Sequence, residues 1–300
     1  RTMTDTHDHG PKNYNRAFAI GISLNLIFVI VEIIYGLAAD SLALLADAGH
    51  NFSDVVSLLL AWGAALLATR PATEKRTYGF RKATVLASLV SAIFLLGALG
   101  GIAWEAVGRL GNPEPVKGLT VIIVAGIGTV INTVTALLFL SGQKEDLNIR
   151  GAFLHMTADA GVSLGVAAGG VIMLLTGWLI VDPIISLFIV FIIVIGTWSL
   201  LRSSFNLVLD SVPEGIDPAA IRDYLTGLEN VDEIHDLHVW PLSTTETALT
   251  VHLRIDKPGG KNFLARIEKE LSDRFHIDHS TIQVEDEEEE SCRLDRDSCV

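Results

Sequence analysis

Six long runs of apolar residues, at 17–39, 41–68, 85–107, 119–140, 152–175 and 180–201, dominate the first two thirds of the chain. About 20 helical residues cross the roughly 30 Å of hydrocarbon in a bilayer, so the pattern predicts six transmembrane helices. Lys and Arg sort unevenly among the turns between them. Lys12 and Arg16 precede the first run, Arg70, Lys75, Arg76, Arg81 and Lys82 lie between the second and third, Lys144 and Arg150 separate the fourth and fifth, and Arg202 follows the sixth. The opposite side carries Arg109 and Lys117. Positive charge collects in cytoplasmic loops, which predicts that both termini are cytoplasmic.

Beyond Arg202 the pattern changes. Asp210-Ser211-Val212-Pro213-Glu214-Gly215 reads as a linker, because Pro and Gly interrupt a helix just where hydropathy falls. A helix is predicted over 218–228, with Asp217 as N-cap and Pro218 at its first position. Strand-like patterns follow at 235–241, 247–255 and 280–285, with helical spacing at 261–275 between the last two. The order α-β-β-α-β predicts a ferredoxin-like α+β layer of about 75 residues, small enough to need a partner for its stability. The expected fold is therefore an all-α six-helix transmembrane bundle followed by a small α+β, ferredoxin-like cytoplasmic domain, and the chain is expected to form a homodimer.

Composition narrows the class. Half of the 300 residues are hydrophobic, 19% are charged, and the mean hydropathy is +0.44, which excludes disorder and an ordinary water-soluble domain. A net charge of −13 argues against a nucleic-acid partner. Much of it lies in the run Glu285 to Glu290, expected to be a solvated tail. The two cysteines, Cys292 and Cys299, fall beyond that run and cannot staple the fold. Met3 reads as the natural start, behind Arg1 and Thr2. The first apolar run has the length of a full span and no cleavage site after it, so it is read as a retained span rather than a signal peptide.

Ionisable residues inside apolar helices cost several kcal/mol, which makes them functional candidates by default. The second run holds Asp47, His50 and Asp54, and the fifth holds His155 and Asp159. Both contain His-x-x-x-Asp, a spacing that puts imidazole and carboxylate on one helix face. A lone intramembrane His is more often a helix-to-helix hydrogen bond, but the repeat in two spans points to a shared ion. Two nitrogens and two oxygens form a closed four-coordinate set suited to Zn²⁺, and also to Cd²⁺ or Co²⁺. Asp47, one turn before His50, either orients that imidazole or is a wall residue. A membrane-embedded metalloenzyme would need an open coordination position and a general base. No His-Glu-x-x-His is present, and the four ligands already complete a shell. A metal sensor or receptor would need an output domain beyond the small tail.

The stretch Ser41 to Asp54, which includes Asp47-Ala48-Gly49-His50, resembles the second-span signature of the cation diffusion facilitator family of zinc transporters. Gly151-Ala152-Phe153-Leu154-His155 through Asp159 is similar to its fifth. Tyr78-Gly79, Asn132, Asp182-Pro183 and His235-Asp236-Leu237-His238-Val239-Trp240 also match, and the likeness runs from about Asn13 to Glu285. The resemblance implies a proton-coupled exporter of Zn²⁺ or related divalent ions, working by alternating access with His50, Asp54, His155 and Asp159 as its transport site. It implies a domain order of cytoplasmic tail 1–16, transport domain 17–209, cytoplasmic dimerisation and metal-sensing domain 210–285, and acidic tail 286–300. It also implies a charge pair between Lys82 and Asp210 that locks the dimer at a hinge.

The chain departs from the family pattern in places. Lys82 is followed by Ala83 and Thr84, so the Glu that relatives carry two residues beyond the basic position is absent. The loop 69–80 has no His, and no metal site is expected there. The loop 141–149 is short and lacks the His-rich tract of many eukaryotic zinc transporters, which implies a prokaryotic plasma (inner) membrane protein. Relatives bind zinc in the cytoplasmic domain at positions matching His235 and His252 and through a His-x-Asp on the last strand. Gln283 and Glu285 stand there in this chain, which leaves His235, His252, Glu285 and the terminal Cys292 and Cys299 as its cytoplasmic candidates. His276 and His279 are expected on the surface, and His7-Asp8-His9 in a tail.

Overall fold

The computed structural model of the chain describes residues 15–140, 147–255 and 262–286. Cys292, Cys299, His7-Asp8-His9 and the acidic run beyond Asp286 lie outside the described residues. Six helices come first: α1 (Asn15–Ala39), α2 (Leu42–Ala68), α3 (Ala83–Gly111), α4 (Gly118–Phe139), α5 (Leu147–Thr176) and α6 (Val181–Val208). Five of them, α2 to α6, are long and apolar enough to cross a membrane, and α1 adds a shorter apolar segment, Ser23–Ala39. Their apolar side chains point outward as well as inward: Trp104 is 84% exposed and Leu175 79%. A surface of that kind is stable only against lipid or another apolar face.

Helix ends run past the apolar runs. The fifth helix begins at Leu147 rather than 152, and the sixth continues to Val208 rather than stopping at 201. Hydropathy marks the segment in hydrocarbon, whereas the backbone ladder continues wherever the next residue can donate to the preceding turn.

The chain forms two compact units, one of residues 1–56 and 94–196, the other of 57–93 and 197–300. The core of the first collects Phe28, Leu44, Leu99, Val121, Val166 and Ile189 among others, so all six helices contribute. Backbones meet closely where side chains are absent. A Cβ on Gly128 would lie 2.5 Å from the Phe28 ring, and one on Gly170 would lie 3.2 Å from the Gly118 carbonyl oxygen.

Two charge sites fix helix ends in this unit. Buried Asp182 at the start of α6 accepts from Ser41 Oγ at 2.5 Å and from the Leu42 amide at 2.8 Å, capping the first turn of α2 with a negative charge. Arg109 at the end of α3 donates to the Asp40 carbonyl and to Asp40 Oδ1, both at 2.8 Å, and pairs with Glu105 at 3.1 Å and Glu114 at 3.0 Å. The hydrogen bond from Arg109 holds the Asp40 carboxyl below its ordinary range. One of the two positive charges counted on that side is thus consumed inside the protein.

In the second unit, α7 (Pro218–Thr226) starts as its sequence predicts, with Asp217 Oδ1 accepting from the Ala219 amide at 2.9 Å. Strands β1 (Val231–Pro241), β2 (Thr247–Ile255) and β3 (His279–Asp286) form a sheet in the order β1-β2-β3, antiparallel then parallel, with α8 (Phe263–Phe275) before β3. β1 begins four residues before the alternation at 235 because Val231 and Ile234 are already buried against Leu253, Ile267 and Leu271. A bulge between His235 and His238 places Asp236 at φ +52°. His276 and His279 are exposed, as expected.

Lys82 Nζ, just before α3, pairs with Asp210 Oδ1, just after α6, and Arg81 reaches Glu246 at 2.9 Å. Both members of the first pair are more than a third exposed, so screening keeps its value small. Lys82→Ala and Asp210→Ala should each lower thermal stability slightly, with a coupling of about 0.2–1 kcal/mol in the double mutant. Strictly additive losses would show that the two charges act alone.

Candidate metal centre

The α2 segment that carries His50 and Asp54 is held at two points in its first two turns. Asp182 caps its start, and one turn before His50 the buried Asp47 Oδ2 accepts from Ser163 Oγ of α5 at 2.8 Å. Ser163 lies one turn beyond Asp159, so this bond sets the approach of α2 and α5 beside the two His-x-x-x-Asp pairs. Asp47 therefore does not orient His50, whose Nδ1 has no hydrogen-bond partner.

The four residues converge. His50 Nε2 is 3.8 Å from Asp54 Oδ2 and 3.6 Å from Asp159 Oδ1. His155 Nε2 is 3.1 Å from Asp54 Oδ2 and 3.6 Å from Asp159 Oδ2. Each carboxylate thus faces both imidazoles, whose ring centroids are 5.9 Å apart in a T-shaped arrangement. Ligand atoms at 2.0–2.2 Å from a tetrahedral zinc are about 3.4 Å from one another, and the four observed separations bracket that edge. The ligand atoms of His50, His155 and Asp159 all lie within 4.8 Å of one another. Asp159 is 2% exposed and His155 43%, so the cluster runs from a buried carboxylate to a half-exposed imidazole.

The sequence reading passed over Glu32, a carboxylate within the first apolar run that the rule for intramembrane charges would have selected. It is fully buried on α1, and its Oε2 accepts from Asn51 Nδ2 at 3.3 Å. Ser163 and Asn51 carried no signal, because their roles exist only once α1, α2 and α5 are packed. Asn132 on α4 is also fully buried, and neither amide atom has a hydrogen-bond partner.

A second cluster lies on the sheet. His235 of β1 is paired in register with His252 of β2, and Glu285 of β3 reaches both. His252 Nδ1 is 2.8 Å from Glu285 Oε1, and His235 Nε2 is 3.3 Å from Glu285 Oε2. Gln283 donates to Glu285 Oε1 at 2.9 Å, orienting the carboxylate rather than competing with it. The sequence reading did not place Asp236 here. The bulge brings its Oδ2 to 3.7 Å from His252 Nε2 and its Oδ1 to 2.8 Å from His238 Nε2. Two imidazoles and a carboxylate again offer a borderline-metal set, with Asp236 as an additional oxygen. Cys292 and Cys299 lie outside the described residues.

The description "cation efflux transmembrane domain" matches residues 18–209, and "cation efflux protein, cytoplasmic domain" matches residues 213–287. The metal cation efflux system protein CzcD of Cupriavidus metallidurans is 36% identical over 93% of this chain and 89% of its own length. Zinc transporter ZitB of Escherichia coli is 34% identical over 93% of this chain and 90% of its own. The cadmium, cobalt and zinc/H(+)-K(+) antiporter of Bacillus subtilis is 32% identical over 94% and 92%.

Ligand removal separates the two clusters. His50→Ala or Asp159→Ala should weaken Zn²⁺ binding at the membrane cluster by more than the 10- to 100-fold, roughly, that loss of an outer-shell partner costs. The cluster on the sheet should be unaffected. Calorimetric titration of each variant, in a His252→Ala background for the membrane cluster and with His252 intact for the sheet cluster, measures this, and unchanged affinity at the membrane cluster would exclude the four residues as ligands.

Proposed function

This chain belongs to the cation diffusion facilitator family of cation efflux proteins, and from that premise we propose that it exports Zn²⁺, with Cd²⁺ and Co²⁺ as related cargoes, in exchange for protons. It is a transporter and not an enzyme, as its family and relatives are. The observation that carries the zinc reading is the set of four N···O separations of 3.1–3.8 Å between two imidazoles and two carboxylates inside apolar helices. Imidazole nitrogens favour borderline metals over Mg²⁺ or Mn²⁺, which take oxygen-rich sites. The relatives ZitB and the Bacillus subtilis antiporter, named for zinc and for zinc/H(+)-K(+) exchange, support the same cargo and counter-ion.

The mechanism follows from the ligands. A His binds metal only when neutral, so a proton and the ion compete for His50 and His155. With the site open to the cytoplasm, metal displaces protons. With the site open to the far side, protons displace metal, and the helices alternate between the two openings. In this proposal α1 is a sixth span, both termini are cytoplasmic, and the protein sits as a homodimer in a bacterial inner membrane. The domain limits are 1–16, 17–209, 210–285 and 286–300. The α-β-β-α-β unit is a ferredoxin-like dimerisation domain, and its cluster of His235, His252 and Glu285 holds a regulatory Zn²⁺, with Cys292 and Cys299 as further ligands.

Zn²⁺ binding to detergent-solubilised protein should release protons and should weaken as pH falls from about 7.5 to 5.5, because protonated imidazole cannot ligate. Zinc uptake into proteoliposomes should follow an imposed pH gradient and vanish in His50→Ala. Affinity independent of pH, without proton release, would overturn the exchange.

A further inference from the structure

Glu32 of α1 and Asp47 of α2 are both fully buried, and neither belongs to the four-residue cluster. Glu32 Oε2 accepts from Asn51 Nδ2, one turn along α2 from Asp47, so the two buried carboxyl groups share one seam between α1 and α2. One oxygen of each has a donor: Asn51 Nδ2 for Glu32 Oε2 and Ser163 Oγ for Asp47 Oδ2. The other oxygens, Glu32 Oε1 and Asp47 Oδ1, have none, and the nearby Asn51 Oδ1 is unpartnered too. Buried polar atoms without partners are rare, and here three of them are acceptors.

Among the described residues, no Lys or Arg is bonded to the pair. The ionisable groups nearest the pair are His50, one turn along α2 from Asp47, and Asp159 of α5, one turn before the Ser163 that bonds Asp47. The packed helix α4 carries no Asp, Glu, His, Lys or Arg. Glu32 is the only charged residue among the described side chains of α1. Two adjacent carboxylates in an apolar interior do not both ionise. One proton between them gives each carboxyl the partner it lacks.

We propose that the Glu32–Asp47 pair is a proton seat, separate from the metal-binding imidazoles, that holds one proton while the metal cluster is empty and gives it up when a divalent cation binds. The shared O–H bond breaks, its electron pair stays on the carboxylate oxygen, and water takes the proton. The positive charge arriving at the cluster, to which Asp159 belongs, makes the doubly ionised pair tolerable. Asp47 is tied through Ser163 to α5 one turn from Asp159, so the occupancies of the two places are linked without a shared ligand. The inference rests on the transport-site reading above and deepens it, by assigning an exchanged proton to residues that bind no metal.

Infrared difference spectra and calorimetry in buffers of different ionisation enthalpy test the pair with Zn²⁺ as probe. The metal-free wild type should show a protonated-carboxyl stretching band that disappears when Zn²⁺ is added. Glu32→Gln, which keeps the shape of the protonated acid, should lack the band. It should bind Zn²⁺ with similar affinity and release about one proton fewer per ion, and Asp47→Asn should behave alike. Absence of the band in metal-free wild type, or an unchanged proton count in Glu32→Gln, overturns the proposal. If neither variant folds, the wild-type band decides alone. Retained Zn²⁺ binding in His50→Ala would instead overturn the four-ligand cluster while leaving the band in place, so the two readings fail separately.

Discussion

An ionisable group inside an apolar helix costs several kcal/mol unless another group answers it, and that cost organises the membrane-embedded unit. Each answer comes from a different helix. Asp182 of α6 caps α2, Ser163 of α5 bonds Asp47 of α2, and Asn51 of α2 bonds Glu32 of α1. The His and Asp residues of α2 and α5 answer one another across the interface. In lipid, where apolar contact alone gives little preference for one helix neighbour over another, such polar ties specify which helices meet and in which register. The four-residue cluster is therefore continuous with the bonds that hold its helices together.

The second unit meets the same problem on a sheet. His235, His252 and Glu285 come from three successive strands, and antiparallel and parallel registers bring their side chains to one place. A bulge then turns Asp236 toward the imidazoles at the cost of a left-handed backbone angle, a strain of the kind that persists where the surroundings enforce it. Both clusters thus use two imidazoles and carboxylate oxygen, one on helices and one on strands.

Much of this was legible in the chain. The apolar runs located the helices, because nothing else buries so many consecutive apolar residues, and the 3.6-residue period made each His-x-x-x-Asp a pair on one face. That the two like pairs would face each other was expected from the repeat, and the side chains do converge. What sequence could not supply was the set of contacts made by tertiary packing: Ser163 against Asp47, Asn51 against Glu32, and Arg109 among three carboxylates. Helix ends were misjudged for a related reason, since Leu147 to Gly151 is helical by backbone bonding although it is not an apolar run. Glu32 differs from these, being visible in the sequence as a carboxylate among apolar residues, with only its partner hidden.

The coordination of bound zinc addresses the membrane cluster itself. X-ray absorption on Zn²⁺-loaded full-length protein carrying His252→Ala, so that the sheet cluster is disabled, should show four nitrogen and oxygen ligands at about 2.0–2.2 Å with the scattering signature of two imidazoles. A six-coordinate oxygen shell without imidazole scattering would contradict the assignment of His50, Asp54, His155 and Asp159 as the site that carries the ion.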